Sequence, residues 1–252
     1  MNLIKILVVA SISIIMFSCG SGSEQSSADA AETTSTEPAE PEVVATKAVC
    51  IWDEVSVRAT ADAKGKWLTS ISKGEVLEYL GEDAPDAQDA KKTYSKIKLT
   101  DGTEGWSRKD FIIPDGEVAV FLESNTIYRR PDLLTVTEDE FSQMDIVAVT
   151  TTQNDWVEVT GKRKEGTWIS TGWVKGNKLS KDAVDVAVAK FGRLALTEED
   201  PVKQVEKLKE ILDNSDLRTS KFFPFIQASY NALSSPKPDE VATDSVATDS
   251  IQ

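Results

Sequence analysis

The chain has 252 residues, 40% of them hydrophobic and 28% charged, a globular composition sized for one or two domains. A formal charge of −14 excludes a nucleic-acid binder, which needs a basic face to displace counterions from phosphates. The chain has no histidine, which removes the commonest general base and the commonest zinc ligand, and its two cysteines, Cys19 and Cys50, cannot build a Cys-rich metal site or a disulfide framework.

Met1–Lys5 is a short basic start, and Ile6–Phe17 is a mostly apolar run. That run is too short to span a bilayer as a helix, which takes about twenty residues, but suits the apolar region of a secretory signal peptide. Ser18-Cys19-Gly20 follows at once. This ending resembles the lipobox of bacterial lipoproteins, and Phe-Ser-Cys endings are familiar among those of the Bacteroidota. The resemblance implies a signal peptide over 1–18, cleavage before Cys19, acylation of that cysteine, and a location at the cell envelope, held on the outer membrane by lipid. Removing residues 1–18, whose only charged side chain is Lys5, takes the charge from −14 to −15, so attachment to anionic lipid has to be covalent or hydrophobic. A Cys19–Cys50 disulfide competes only if lipidation fails. Cys50 sits in the apolar run Ala48-Val49-Cys50-Ile51-Trp52 and reads as inert core. Residues 19–46, rich in Ser, Thr, Ala, Glu and Pro, read as a disordered acidic linker.

From Lys47 to Leu179 short apolar and β-branched stretches alternate with Gly, Asp, Asn and Lys turns, which predicts strands. In Tyr94–Leu99 the alternation sets Ser95, Ile97 and Leu99 on one face and Tyr94, Lys96 and Lys98 on the other. Asp101-Gly102 makes a turn, since that pair readily takes positive φ, and Gly105-Trp106 opens the next strand. The pattern then recurs: Trp156–Val159 stands where Tyr94–Ile97 stood, Gly161–Gly166 is the turn, and Gly172-Trp173-Val174 matches Gly105-Trp106-Ser107. Thr126–Arg129 echoes Ser56–Arg58 more weakly. These are two copies of one small β domain, at 47–114 and 117–180.

Each copy resembles the bacterial SH3-like (SH3b) domain. The first carries Val57-Arg58, Gly74–Leu77, Tyr94–Ile97, Asp101-Gly102 and Gly105-Trp106; the second carries Arg130-Pro131, Asp145–Val149, Trp156–Val159 and Gly172–Val174. The second departs from the family at Met144, where a glycine is usual, and its turn is longer. The resemblance implies two small SH3-like β-barrels, each marginal in size, with Trp106 and Trp173 expected to fill their cores.

After Ser180 the period changes. Val202, Val205, Leu208 and Leu212 recur at helical spacing, and Asp200-Pro201 is a cap-then-proline start. Phe222–Leu233 reads as a second helix with Pro224 in its first turn. Val184–Leu196 alternates like a strand in its first half, but its alanines and length favour a helix. The fold class is therefore mainly β with an α C-terminal part: two barrels, a helical region over 181–233, and a disordered tail over 234–252 that repeats Val-Ala-Thr-Asp-Ser.

Reactive constellations are absent or weak. Ser70–Lys73 and Ser95–Lys98 fit the S-x-x-K pattern of penicillin-recognising enzymes, but lie in strand-like runs without the partner motifs. Glu82–Asp89 is acidic but lacks calcium-loop spacing and reads as a solvated loop. The chain is expected to be no enzyme and to need no cofactor and no metal. The family resemblance implies binding of peptide or cell-wall glycopeptide such as peptidoglycan, with Trp52, Tyr79, Tyr94, Tyr128 and Trp156 as candidate contacts. The alternative is a structural or assembly lipoprotein whose partner is another envelope protein.

Overall fold

The computed structural model describes residues 45–235. The leader, Cys19, nearly all of the acidic linker and the tail after Ser235 lie outside the described residues.

β1 (Thr46–Cys50), β2 (Val55–Arg58), β3 (Trp67–Ile71), β4 (Val76–Pro85), β5 (Thr93–Lys98), β6 (Glu104–Arg108) and β7 (Ile112–Pro114) form one antiparallel sheet. Its strand order is β3-β2-β6-β5-β4-β1-β7, and a 3-10 turn, Lys109–Phe111, leads into β7. β8 (Glu117–Phe121), β9 (Asn125–Tyr128), β10 (Val136–Phe141), β11 (Ile146–Gln153), β12 (Trp156–Lys162), β13 (Ile169–Lys175) and β14 (Leu179–Ser180) form a second. Its order, β10-β9-β13-β12-β11-β8-β14, repeats the first strand for strand, and a 3-10 turn, Gly176–Lys178, stands before its last strand too.

The repetition extends to single hydrogen bonds. Before β4, the Gly74 N–H donates to the Cys50 carbonyl at 2.8 Å, and the Ser72 N–H to the Glu75 carboxylate at 2.9 Å. Before β11, the Met144 N–H donates to the Phe121 carbonyl at 2.9 Å, and the Ser142 N–H to the Asp145 carboxylate at 2.8 Å. The turn requires a left-handed residue: Gly74 has φ +82° and Met144 φ +66°. Glycine takes that conformation without cost, whereas a side chain pays about 1–2 kcal/mol.

The sheets build their cores from aliphatic side chains. Cys50, Val55, Val57, Ile71, Leu77 and Ile97 are buried in the first. In the second, Phe121 stacks on Phe141 at 4.9 Å among Val147, Val159 and Val174. The two tryptophans expected in these cores are only half-buried. Successive side chains on a strand point to opposite faces, and it is the preceding glycine that points inward. A Cβ on Gly105 would lie 2.6 Å from Val57 Cγ1, and one on Gly172 would collide with Ile127. The Gly-Trp pair thus serves close packing through its glycine, and Trp106 faces outward beside Lys96, whose Nζ is 6.0 Å from the ring. The alternation read in Tyr94–Leu99 holds for Ser95, Ile97 and Leu99, which are buried; Tyr94 is buried as well.

β1 and β11 are covered on both faces. Ala48 and Cys50 enter the first core, while Val49 and Ile51 pack on Ala148 of the second sheet, with Ile113, Val118 and Ile169 around them. On β11, Val147 and Val149 enter the second core, Ala148 meets the first sheet, and Ile146 faces the helices. The doubly covered stretches, Ala48–Ile51 and Ile146–Val149, accordingly read as unbroken apolar runs.

The ambiguous segment after β14 is a helix, α1 (Ala183–Leu196), with Asp185, Val188, Ala189, Gly192 and Ala195 inward at helical spacing. α2 (Pro201–Asp213) starts as expected: the Asp200 carboxylate accepts from the N–H groups of Val202 and Lys203 at 2.9 and 3.4 Å. α3 (Phe223–Ser234) carries Pro224 in its first turn. The three helices share one core with the second sheet, in which Leu208, Ile211, Phe222 and Ile226 meet Val120, Met144 and Ile146. This explains Met144. Its side chain is buried beside Gly192 of α1, and burial of a methionine contributes about 2–5 kcal/mol, more than the left-handed backbone costs. Met144→Gly should therefore lower stability by about 1–3 kcal/mol in urea unfolding despite relieving the strain. An unchanged midpoint would show that the side chain does not hold the helices.

Candidate functional site

The first sheet carries a groove of about 260 Å³, lined by Trp52, Arg58, Tyr94, Arg108 and Phe111 with the carboxylates Asp53 and Glu54 beside them. Strand pairing sets it up. Tyr94 on β5 lies opposite Arg108 on β6, and Arg58 on β2 lies opposite Trp106. The chain leaving β1 supplies Trp52, and the 3-10 turn after β6 supplies Phe111, stacked on Trp52 at 5.2 Å and 28°.

Tyr94 is 4% exposed. Burial, and then the negative charge of Asp86, push its phenol above the usual range. Asp86 is itself buried rather than solvated, which corrects the reading of the acidic stretch. Its carboxylate accepts from the N–H groups of Gln88 at 2.7 Å, Ala63 at 3.0 Å and Asp89 at 3.2 Å. The Gln88 bond foremost holds its pKa below the usual value, against the opposing effect of burial. One short loop is thereby tied to another across the groove's end. Arg58 donates to the Gly65 carbonyl at 2.8 Å. Arg108 pairs with Asp110 and lies over the Phe111 ring at 5.8 Å, while its buried Nε has no partner among the described residues. A guanidinium beside aromatic walls suits a carboxylate on an apolar or sugar-like frame.

The five candidate aromatics separate. Trp52 and Tyr94 meet in this groove. Tyr128 and Trp156 meet at the corresponding place of the second sheet, edge to face at 4.8 Å and 80°. There Lys175, opposite Trp156 as Arg108 is opposite Tyr94, covers the indole at 3.9 Å. Tyr79 stands apart on β4, half-buried against the first core. Burial and the Asp83 carboxylate push its phenol up. Arg58, Arg108, Phe111 and Trp168 were not among the candidates. Trp168, 54% exposed, lies 5.4 Å from Trp52, so Trp52 joins the sheets as well as lining the groove. The one signal for it was the longer turn of the second repeat, which carries Trp168 across to the first sheet. Cys50 is fully buried; its thiol donates to the Trp52 carbonyl at 3.2 Å, and burial pushes its pKa to about 12.

Both S-x-x-K segments are spent structurally: Ser95 donates to Asp83 at 2.6 Å, and Lys73 lies 3.6 Å from Asp53. A more intimate pair joins β14 to the start of α3, where Lys221 Nζ is 3.1 Å from Ser180 Oγ. That lysine faces Asp182 and, at 3.0 Å, Asp185, and their hydrogen bonds hold its pKa above the usual value. It stays protonated, so it cannot take the serine's proton. Among the described residues no three Cys, Asp or Glu side chains are grouped to hold a metal ion.

Comparison with known proteins gives a class for one part of the chain. Residues 53–113 match the bacterial SH3 domain family, about a quarter of the sequence. This stretch is a bacterial SH3 domain, and β1 completes its sheet. No curated protein matches the sequence. Among solved structures, NlpC2 and NlpC1 from Trichomonas vaginalis align at 12% identity, over 68% and 64% of this chain and 57% and 55% of theirs, with TM-scores of 0.23 and 0.22. The chain thus spans just over half the length of those proteins, and a likeness of that size carries no argument about activity.

Asp185 of α1 ties β14 to the segment that leads into α3. It is 1% exposed and accepts from Ser180 at 2.5 Å, Ser220 at 2.8 Å and the Lys221 N–H at 2.7 Å. Burial raises its pKa, but the hydrogen bonds from Ser180, Lys221 and Ser220 prevail and hold it below the usual range. A depressed carboxylate stabilises fully above its unfolded pKa and loses that contribution as pH falls through the folded value. Asp185→Ala should cost about 2–4 kcal/mol at neutral pH in urea unfolding. The deficit should shrink as the pH is taken below about 4; a deficit equal at pH 7 and pH 2.5 would contradict the charge's role.

Proposed function

We propose that this chain is an envelope lipoprotein, anchored through Cys19, that binds peptide or cell-wall glycopeptide without catalysis. The observation that carries the binding role is the groove of Trp52, Arg58, Tyr94, Arg108 and Phe111 on the domain that belongs to the bacterial SH3 family. Flat aromatic walls suit sugar faces and apolar peptide side chains, and two guanidiniums suit the carboxylates of stem peptides. We read 117–180 as a second domain of the same kind. Its strand order and its Ser142–Asp145 turn, equivalent to Ser72–Glu75, support that reading. The domains are then 1–18 leader, 19–46 linker, 47–114 and 117–180 binding domains, 181–233 helices and 234–252 tail. A protonated Lys221 and the lack of histidine support a non-catalytic role.

A second reading, an assembly lipoprotein that grips another envelope protein, is favoured by the groove of about 370 Å³ between α1 and α2, where Phe191 and Leu194 are exposed.

Full-length protein incubated with purified peptidoglycan sacculi at low salt should be retained, and Arg58→Gln with Arg108→Gln should weaken retention roughly tenfold or more. Failure of the parent to bind would remove the wall reading and leave the assembly one. For the anchor, cells fed a clickable palmitate analogue should label the parent and not Cys19→Ala. Equal label in both would end the lipoprotein reading.

A further inference from the structure

A second concave site lies where both sheets and α1 converge. Six cationic side chains line a cavity of about 210 Å³: Lys73 before β4, Lys162, Arg163 and Lys164 from the β12–β13 hairpin, and Lys190 and Arg193 on α1. The carboxylates on its wall are Asp53 and Asp145, so the lining carries a net charge of +4 (six minus two) inside a chain of −14.

The pairing within the site leaves charge unspent. The Asp145 carboxylate accepts from Arg193 at 2.8 Å and from the N–H groups of Ser142 and Lys164 at 2.8 and 3.1 Å. Lys73 is paired with Asp53 at 3.6 Å. Arg163 and Lys164 reach outward to Asp139 and Glu165, at 2.9 and 3.6 Å. Lys162 and Lys190, both half-buried, have no carboxylate partner among the described residues. Lys162 instead rests over the Trp52 ring at 4.5 Å. Met144, Ile146 and Ala189 form an apolar floor, where like charges repel more strongly than in water. Such an arrangement is unfavourable while empty and favourable when a multivalent anion enters.

We propose that this cavity is a binding site for a compact multivalent oxyanion of the phosphate type, held between Lys162 and Lys190. A volume of about 210 Å³ lies below the range of roughly 300–1,000 Å³ of drug-sized ligand sites, so the occupant is one phosphoryl or diphosphoryl group rather than an extended polymer segment. Lysine ammoniums act as point charges and accept a tetrahedral anion without a fixed approach. The site is separate from the aromatic groove and does not depend on the wall-binding reading. It joins three parts of the fold, so an occupant stabilises their association as well as itself.

The test is thermal unfolding and tryptophan emission of the full-length chain, in detergent, titrated with inorganic pyrophosphate or glycerol 3-phosphate at ionic strength held constant with chloride. Ligand that binds only the folded state raises the midpoint along a saturation curve, and withdrawal of Lys162 from the indole changes the Trp52 emission with the same midpoint concentration. Tighter binding of pyrophosphate points to a free anion, and tighter binding of glycerol 3-phosphate to a phosphoryl group carried on a larger envelope molecule. Lys162→Gln with Lys190→Gln should fold with an unchanged or higher midpoint in chloride and bind roughly ten- to a hundredfold more weakly. Lys162→Arg with Lys190→Arg should retain binding. No saturable rise in the parent, or an equal rise in the glutamine variant, would overturn the site.

Discussion

Val49 of β1 and Ile51 just after it, sealed against Ala148 of β11, form the contact that holds the molecule together. A β unit of about sixty residues buries too little apolar surface to be more than marginally stable. Here each sheet uses one strand on both faces, so that its own core and the joint with its neighbour come from the same few residues. The helices repeat the solution on the other side of β11 through Ile146 and Met144. Three small parts thereby become one body, and the two candidate sites lie along its joints: Trp52 beside Trp168, and Lys73 beside Lys162 and Lys190.

Departures of the second repeat from the first follow from this arrangement. Where the first places Gly74, the second accepts a strained Met144 because that side chain is needed under α1. Where Tyr94 floors a groove, Trp156 is covered by Lys175. The longer β12–β13 hairpin brings Trp168 and a cluster of lysines to the first sheet. The two repeats are alike in backbone and unlike in surface, with the aromatic groove on one and the cationic hairpin on the other.

The charge distribution runs against the overall balance. Among the described residues most carboxylates are exposed, whereas buried Asp86, Asp145 and Asp185 each accept several N–H or hydroxyl donors and hold loops and helices in register. These three carboxylates act as structural ties.

Much of the backbone was legible from local pattern. Period-two alternation placed the strands, the Asp200-Pro201 start placed α2, and the recurrence of Gly-Trp marked the repeat. Local chemistry put forward five aromatics as candidate contacts, of which the structure brings Trp52 and Tyr94 to one groove. It could not separate them from Tyr79, which packs on a core, or assign Trp106 and Trp173 correctly, because which of two neighbours points inward depends on the strand opposite. Arg58 and Arg108 are fifty residues apart and share a groove only through the pairing of β2 with β6 and of β6 with β5. Periodicity and caps within a few residues were enough to read the strands, the helices and the repeat. The double-sided use of β1 and β11, the need for Met144 and the convergence of six cations emerge on folding alone, because each is a meeting of segments that no local interaction brings together.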